Sequence, residues 1–505
     1  MITNRKVLDS NIWAVYKSRL DVRHIALIFA AAVSLGFYLL VSQQTFHLGF
    51  PLDDAWIHQT YARNFAQSGE WSFVPGQPSA GSTAPLWSGL LAIGYWLGLG
   101  PYIWTYFLGW IILSILSILG SYLFGVICPE SATWKFWAGL FLILEWHLVW
   151  AAGSGMETLL FSLIVLLAGT WLVAGWRRWT MLGILIGLSV WVRPDGITLL
   201  GPAFFVILFG SAPWRERLGA ILKVSAGFGL LFAPYLVFNN LVSGAWWPNT
   251  FYAKQAEYAI YQQIPIVNRF FSQTLLPLVG AGSLLIPGFV YFVWAAYRRK
   301  SFDGLAMPIW ALGYLFIYAW RLPVTYQHGR YIIPMMPVYF IWGISGIYLI
   351  VKPLIHRLAY RVVGRAWILS IVGVLLIFWV LGARAYGQDV AFIESEMVNT
   401  AQWISTHTDS NSLIAAHDIG ALGFFGNRRL IDLAGLISPD VIPFIRNETK
   451  LKAYLISQNA DYLVVFPGWY PSLVEGVQPV YKSQGFFSPS QGGENMVVYK
   501  WMSSP

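Results

Sequence analysis

The chain has 505 residues, 57% of them apolar and only 11% charged, where a soluble globular protein carries about a quarter charged residues. With a mean hydropathy of +0.58, this excludes an ordinary soluble enzyme and indicates a polytopic membrane protein. The formal charge of +9 does not indicate nucleic acid, because the basic residues sit in short clusters between apolar runs, as the positive-inside rule requires. A single cysteine, Cys128, excludes an internal disulfide and a cysteine-built zinc cage. The 27 Trp and 26 Tyr suit many helix ends at the lipid headgroup level.

Taken in order, residues 1–23 carry Arg5, Lys6, Lys17, Arg19 and Arg23, which predicts a cytoplasmic N-terminus. The first apolar run, about 24–44, lacks a small-residue cleavage site and reads as a retained span. The first outer loop then covers 45–100. Within it Asp53 and Asp54 open a helical pattern that brings His58 and Tyr61 onto one face with Asp54, and stops near Gly69. One of the pair could be a helix N-cap, a role Asp fills readily, but one cap does not explain two carboxylates. Residues 86–98 read as an interfacial or half-inserted helix, since only an odd number of spans puts Lys135 and the cluster 176–179 on the cytoplasmic side.

Ten further spans are expected at about 101–127, 134–150, 156–176, 180–194, 197–211, 218–239, 273–296, 305–320, 331–351 and 366–384. Basic clusters at 214–217, 298–300 and 352–365 then fall inside, and the domain 1–384 has eleven spans. The unusual polar segments gather on the outer side: Glu157, the run from Arg193 to Gly196, the run from Trp247 to Lys254, Arg321, and the run from His328 to Tyr331. Glu145 and His147 lie in the outer third of the third span. Ionisable groups at membrane depth face a partner or a water-filled cavity; Arg193 with Asp195 is the evident ion pair. From 385 to 505 the composition becomes that of a small extracytoplasmic α/β domain. It has strand patterns at 413–416, 461–466 and 496–501, and helical patterns at 390–406 and 451–459. A strand ending in His417 and Asp418 before a glycine-rich turn either places Asp418 near a ligand or is an ordinary strand-to-turn transition.

No nucleotide loop, His-Glu-x-x-His or nucleophile elbow occurs, so an energised pump is not indicated. A secondary transporter would carry polar groups near the bilayer midplane rather than at its outer edge. The outer-edge placement suits an enzyme joining a lipid headgroup to a substrate from the outer aqueous phase. Such an enzyme needs a carboxylate to deprotonate an acceptor hydroxyl, here Asp53 or Asp54. It needs cations for a departing phosphate: Arg330 and Lys254 are best placed, with Arg321 and Arg193 behind them. Trp56, Trp87, Trp246, Trp247 and Tyr252 offer flat faces to a sugar or prenyl chain.

The acidic pair straight after the first span resembles the motif of the GT-C glycosyltransferases. The ordered series resembles their polyprenyl-phosphate-sugar-dependent, arabinofuranosyltransferase-like branch. That series runs from the pair through Tyr61 to Asn64, Pro75-Gly76, Gly81 to Thr83, Pro85 to Trp87, Gly155 to Glu157 and Arg193 to Gly196. It continues with Pro248 to Lys254, Gly329 to Tyr331, Asp418 to Ala421 and Asp432 to Leu436. The likeness implies a mainly α, multi-pass GT-C-like fold and an inverting sugar transfer without a cofactor or required metal. It implies a lipid-linked donor and a glycan, lipid or protein acceptor, at a plasma membrane expected to be bacterial. Asp53 would be the base and Asp54 its assistant. His58, Tyr61, Arg63, Trp87, Glu157, Asn249, Tyr252, His328 and Asp418 would contact substrate. The competing readings are a lipid-linked sugar flippase or transporter, and a GT-C-like assembly protein that has lost its chemistry.

Overall fold

The computed structural model describes residues 21–353 and 358–501. Arg5, Lys6, Lys17, Arg19 and part of the cluster at 352–365 lie outside the described residues. Helix α1 (Val22–Thr45) leads to α2 (Asp53–Ser68), a short hairpin of β1 (Ser72–Val74) and β2 (Gln77–Pro78), and α3 (Pro85–Trp96). The chain is then helical through α4 (Pro101–Ile127), α5 (Ala132–Leu144), α6 (Trp146–Gly153), α7 (Thr158–Val173), α8 (Trp179–Val192), α9 (Leu200–Phe209) and α10 (Trp214–Ser243). It continues with α11 (Asn249–Glu257), α12 (Ile266–Leu275), α13 (Ile286–Arg298), α14 (Phe302–Arg321) and α15 (Met336–Val351).

The chain is a mainly α, polytopic membrane protein. Among the described residues six helices are long and apolar enough to cross a membrane, or eight if each of two bent pairs is one span. Three shorter apolar helices, Thr158–Val173, Trp179–Val192 and Pro194–Phe209, are added to these. Each of the eleven expected segments falls on one of these helices or bent pairs. The bend of 56° between α5 and α6 has a polar cause: Glu145 leaves the helix, accepts from Leu148 N at 3.2 Å, and meets His147 Nδ1 at 2.7 Å. Helix α3, at 12 residues, is too short to cross, and it packs on α2 and α4.

The helix continues through the expected domain boundary at residue 384. Helix α16 (Leu358–Ile393) runs on through a π-helical segment, Glu394–Val398, into α17 (Asn399–His407). The C-terminal unit therefore hangs from a continuous helix of 50 residues. Its sheet adds β3 (Leu413–Ala416), β4 (Arg429–Asp432), β5 (Tyr462–Val465), β6 (Gln478–Lys482) and β7 (Val497–Lys500), with α18 (Glu448–Ser457) between β4 and β5. The order is β4-β3-β5-β7-β6; β3 is parallel to β4 and β5, while β7 is antiparallel to β5 and β6. Alternation along the strands splits the core in two. Ile414, Ala416, Val464 and Val498 join the large helical core, whereas Leu413, Ala415, Leu463 and Val497 pack with Leu451 and Leu455 of α18.

Candidate active site

Helix α2 carries the acidic pair at its start. Leu52 occupies the N-cap position and makes no side-chain cap, so neither Asp serves as one. The helix ends at Gly69, whose φ of 74° is the left-handed conformation that glycine adopts without penalty. With the capping role vacant, both carboxylates are available to make contacts elsewhere.

Asp53 reaches the C-terminal unit. Its Oδ2 accepts from Gly420 N at 2.7 Å and its Oδ1 from Ala421 N at 2.8 Å. A Cβ at 420 would collide with the Asp53 carbonyl and carboxylate, so the contact requires glycine there. Further along α2, Arg63 donates to the carbonyls of Phe424 (2.7 Å) and Gly423 (3.2 Å), with its guanidinium 4.8 Å from the Phe424 ring. One short helical segment, 420–426, is thus clasped at its amide end by a carboxylate and at its carbonyl end by a guanidinium.

Asp54 faces the other way. Its Oδ2 lies 2.5 Å from Arg330 Nη1 and 3.8 Å from Lys254 Nζ. Both cations also donate to the Tyr331 hydroxyl at 2.9 Å. Arg330 is only 4% exposed, and its Nε has no acceptor among the described residues. The turn that delivers it is strained: Gln327, His328 and Gly329 all have positive φ, at 53°, 56° and 68°. His328 secures that turn, seated edge-on between Trp146 and Trp150 while its Nε2 lies 2.7 Å from Asp389 Oδ2.

Between α2 and the C-terminal unit lies a cavity of 610 Å³, whose wall includes Asp53, Asp54, Lys254, Arg330, His417 and Asp418. The two adjacent carboxylates are pushed in opposite directions. Burial, with the charge of Asp418 added, outweighs the two amides and pushes the Asp53 carboxyl up to about 8. Burial acts on Asp54 too, but Arg330 and Lys254 overcome it and hold its carboxyl well below the usual carboxylate range. Asp418 is pushed up to about 6 by burial, partly offset by His417.

Several cavity groups were not anticipated from sequence. His417 Nε2 lies 3.3 Å from Glu257 Oε1 and its Nδ1 lies 2.7 Å from the Tyr470 hydroxyl. Arg446 approaches Glu257 at 3.5 Å, and Tyr258, Tyr326 and Trp469 complete the wall. Asp432 shapes that wall from below, accepting from the amides of Ala434 (2.8 Å) and Ile437 (2.9 Å). The signal that could have found Glu257 was its spacing: it follows Lys254 by three residues, one helical turn.

Other expected site residues are engaged in packing. His58 meets Ser88, Ser82 and Glu157 at 3.0, 3.2 and 3.4 Å. The Tyr61 hydroxyl bonds Ser79 and Gly81, and Trp87 Nε1 donates to the Gly155 carbonyl. Asn249 is buried at the start of α11; Tyr252 and Arg321 are exposed, with Arg321 over the Phe251 ring. None of these six lines the cavity. Arg193 sits behind it, buried, with Glu157 and Asp195 each at 3.2 Å and the Tyr318 hydroxyl at 2.8 Å. Arg193→Gln should therefore cost about 3–5 kcal/mol, because Glu157 and Asp195 lose their buried counter-charge. The loss would be read as a lowered unfolding midpoint with normal turnover per folded molecule. Weakened donor binding at unchanged stability would instead place Arg193 at the donor.

The architecture is similar to that of several solved structures. ArnT from Cupriavidus metallidurans bound to undecaprenyl phosphate aligns at a TM-score of 0.57 and 16% identity, over 94% of this chain and 98% of that one. The Archaeoglobus fulgidus oligosaccharyltransferase aligns at 0.58 and 14%, over 87% of this chain and 69% of that one. The fold is that of the GT-C glycosyltransferases. The mycobacterial arabinofuranosyltransferase AftD aligns at 0.46 and 16%, over 94% of this chain and 41% of that one. Residues 386–499 of this chain match a family described as a domain of unknown function, DUF8728. No curated protein matches the sequence. Among the described residues, no group of three or more His, Cys, Asp or Glu side chains is disposed to hold a metal ion.

Proposed function

We propose that this chain is an integral-membrane glycosyltransferase, moving a hexosyl or pentosyl group from a polyprenyl-phosphate donor to a hydroxyl of an extracytoplasmic glycan, lipid or protein. The observation that carries the reading is the division of Asp53 and Asp54 in one cavity: one carboxylate held by two backbone amides, its neighbour paired with two cations, an arrangement that pushes the first carboxyl up and the second down. Pairs whose environments push their proton affinities apart are how acid–base roles are assigned. Asp53, oriented by two backbone amides, takes the proton from the acceptor hydroxyl. The freed oxygen attacks the anomeric carbon, the carbon–phosphate oxygen bond breaks, and configuration inverts. Polyprenyl phosphate departs carrying the negative charge, held by Arg330 and Lys254. Arg330 keeps a free Nε for that phosphate even while Nη1 contacts Asp54. The undecaprenyl phosphate bound to ArnT, a protein of the same fold, supports a lipid phosphate as the leaving group.

The test is to incubate purified protein with a panel of polyprenyl-phosphate sugars and a soluble acceptor panel, scoring free polyprenyl phosphate across pH. Because Asp53 works only when deprotonated and its carboxyl is raised, turnover should climb with pH, about tenfold per unit, and level off near pH 8. A rate unchanged from about pH 6 to about pH 9 contradicts Asp53 as the base. Release with no member of the panel contradicts the donor class.

A further inference from the structure

A second cavity, of 770 Å³, lies at the other end of the helical bundle. It forms where α7 passes to α8, α9 to α10, and α13 to α14. The far ends of these helices carry Glu157, Arg193, Trp247 and Arg321, so the catalytic cavity and this one occupy opposite faces. Five cations on its wall, Arg177, Arg215, Arg217, Lys223 and Lys300, outnumber Glu216 and Asp303. Arg217 is occupied, donating to the carbonyls of Ala212 (2.7 Å) and Leu208 (2.8 Å). The other four cations make no ion pair among the described residues and are exposed.

The positive-inside rule explains basic residues in such loops, but it requires no cavity. It also does not explain the aromatic wall, where Trp171 packs edge-on against Trp176 at 5.2 Å. Trp171 Nε1 is buried and has no acceptor among the described residues, although a buried indole N–H ordinarily finds one. Beside these groups the wall turns apolar at Leu172, Val206, Ile207 and Phe209. A free inorganic anion has no use for that apolar side. Cations for a phosphodiester, an indole N–H for an ester carbonyl, and an apolar flank for acyl chains describe a single ligand. We propose that this cavity binds the headgroup of an anionic phospholipid from the adjacent leaflet.

The experiment reconstitutes the full chain in nanodiscs of equal phosphatidylglycerol and phosphatidylcholine, then releases it gently and measures the co-purifying phospholipid by native mass spectrometry. Wild type should retain phosphatidylglycerol in preference. Neutralising Arg177, Lys223 and Lys300 together (each →Gln) should erase the preference, with about a fivefold loss expected per cation near a membrane surface. Trp171→Phe, which keeps the ring and removes the N–H, should weaken it partially. Glycosyl transfer should persist in both variants, which reports intact folding. Equal retention of the two lipids by wild type, or an undiminished preference in the triple variant, overturns the proposal. Full displacement of the lipid by millimolar inorganic phosphate also overturns it, since the ligand would then be a free anion.

Discussion

Arg330→Ala should lower turnover by about 10²–10³-fold and weaken donor binding, the range typical for removing one fixed donor from a developing negative charge. The reason is geometric as well as electrostatic. A guanidinium only 4% exposed acts in a medium far less screening than water, so its field on a phosphate oxygen is strong. Its contacts with Asp54 and the Tyr331 hydroxyl keep the group where it is rather than allowing a rotamer search. Arg330→Lys should recover only part of the loss, because a point charge cannot serve Asp54, Tyr331 and a phosphate at once as a planar fork does. The alanine variant also leaves Asp54 with Lys254 alone, 3.8 Å away, so its carboxyl should rise towards the ordinary range. An Arg330 that merely anchors the helix predicts less folded protein with normal specific activity. Wild-type kinetics in Arg330→Ala would remove it from the reaction and leave Lys254 as the phosphate group's cation.

Much of the membrane architecture was legible in sequence because the bilayer imposes length and polarity on each segment separately. Eleven apolar runs could be counted without knowing what they pack against. The divided spans show the limit: a break at Glu145 is invisible in an apolar count, yet a single side-chain cap bends the segment by 56°. The run from α16 into α17 shows a different limit. A change of composition at 384 suggested a boundary, but backbone hydrogen bonds continue through it, because helix propagation is indifferent to whether a face meets lipid or water. Strands β4 and β6 were missed: Arg429 at the start of one and Pro479 within the other obscure the alternation, and both strands sit at sheet edges.

At the candidate site, the carboxylate pair, Lys254, Arg330 and Asp418 could be named from chain order and resemblance. Their division of labour could not. What separates Asp53 from Asp54 is which partner lies across the cavity: amides 367 and 368 residues further on for one, and a guanidinium from another loop for the other. Residue type carries none of that information. His58, Tyr61 and Trp87 share the helix and loop of the pair, but the geometry commits their polar atoms to Ser88, Ser79 and Gly155. Proximity in sequence to a catalytic group is satisfied equally well by the scaffold that holds it.

Asp53→Asn should reduce turnover by about 10²–10⁴-fold, the usual worth of a general base, while donor binding stays near wild type. A sugar hydroxyl is a poor nucleophile near neutral pH, and the amide side chain cannot accept its proton. The substitution is not structurally silent. Asn retains one carbonyl oxygen for either Gly420 N or Ala421 N and presents an NH₂ to the other, so one arm of the clasp is lost. Arg63 supplies the control. Arg63→Ala loosens the same clasp at Phe424 and Gly423 without touching the base. It should lower turnover modestly and leave the rise in rate towards pH 8 in place, whereas Asp53→Asn should abolish that rise. Asp54→Asn should cost less than Asp53→Asn, since it removes a counter-ion of the phosphate-binding cations rather than the proton acceptor. If Arg63→Ala loses as much rate as Asp53→Asn, the contact at 420–421 is a domain latch and the base lies elsewhere. Activity near wild type in both Asn variants, measured per folded molecule, would overturn the transfer mechanism itself.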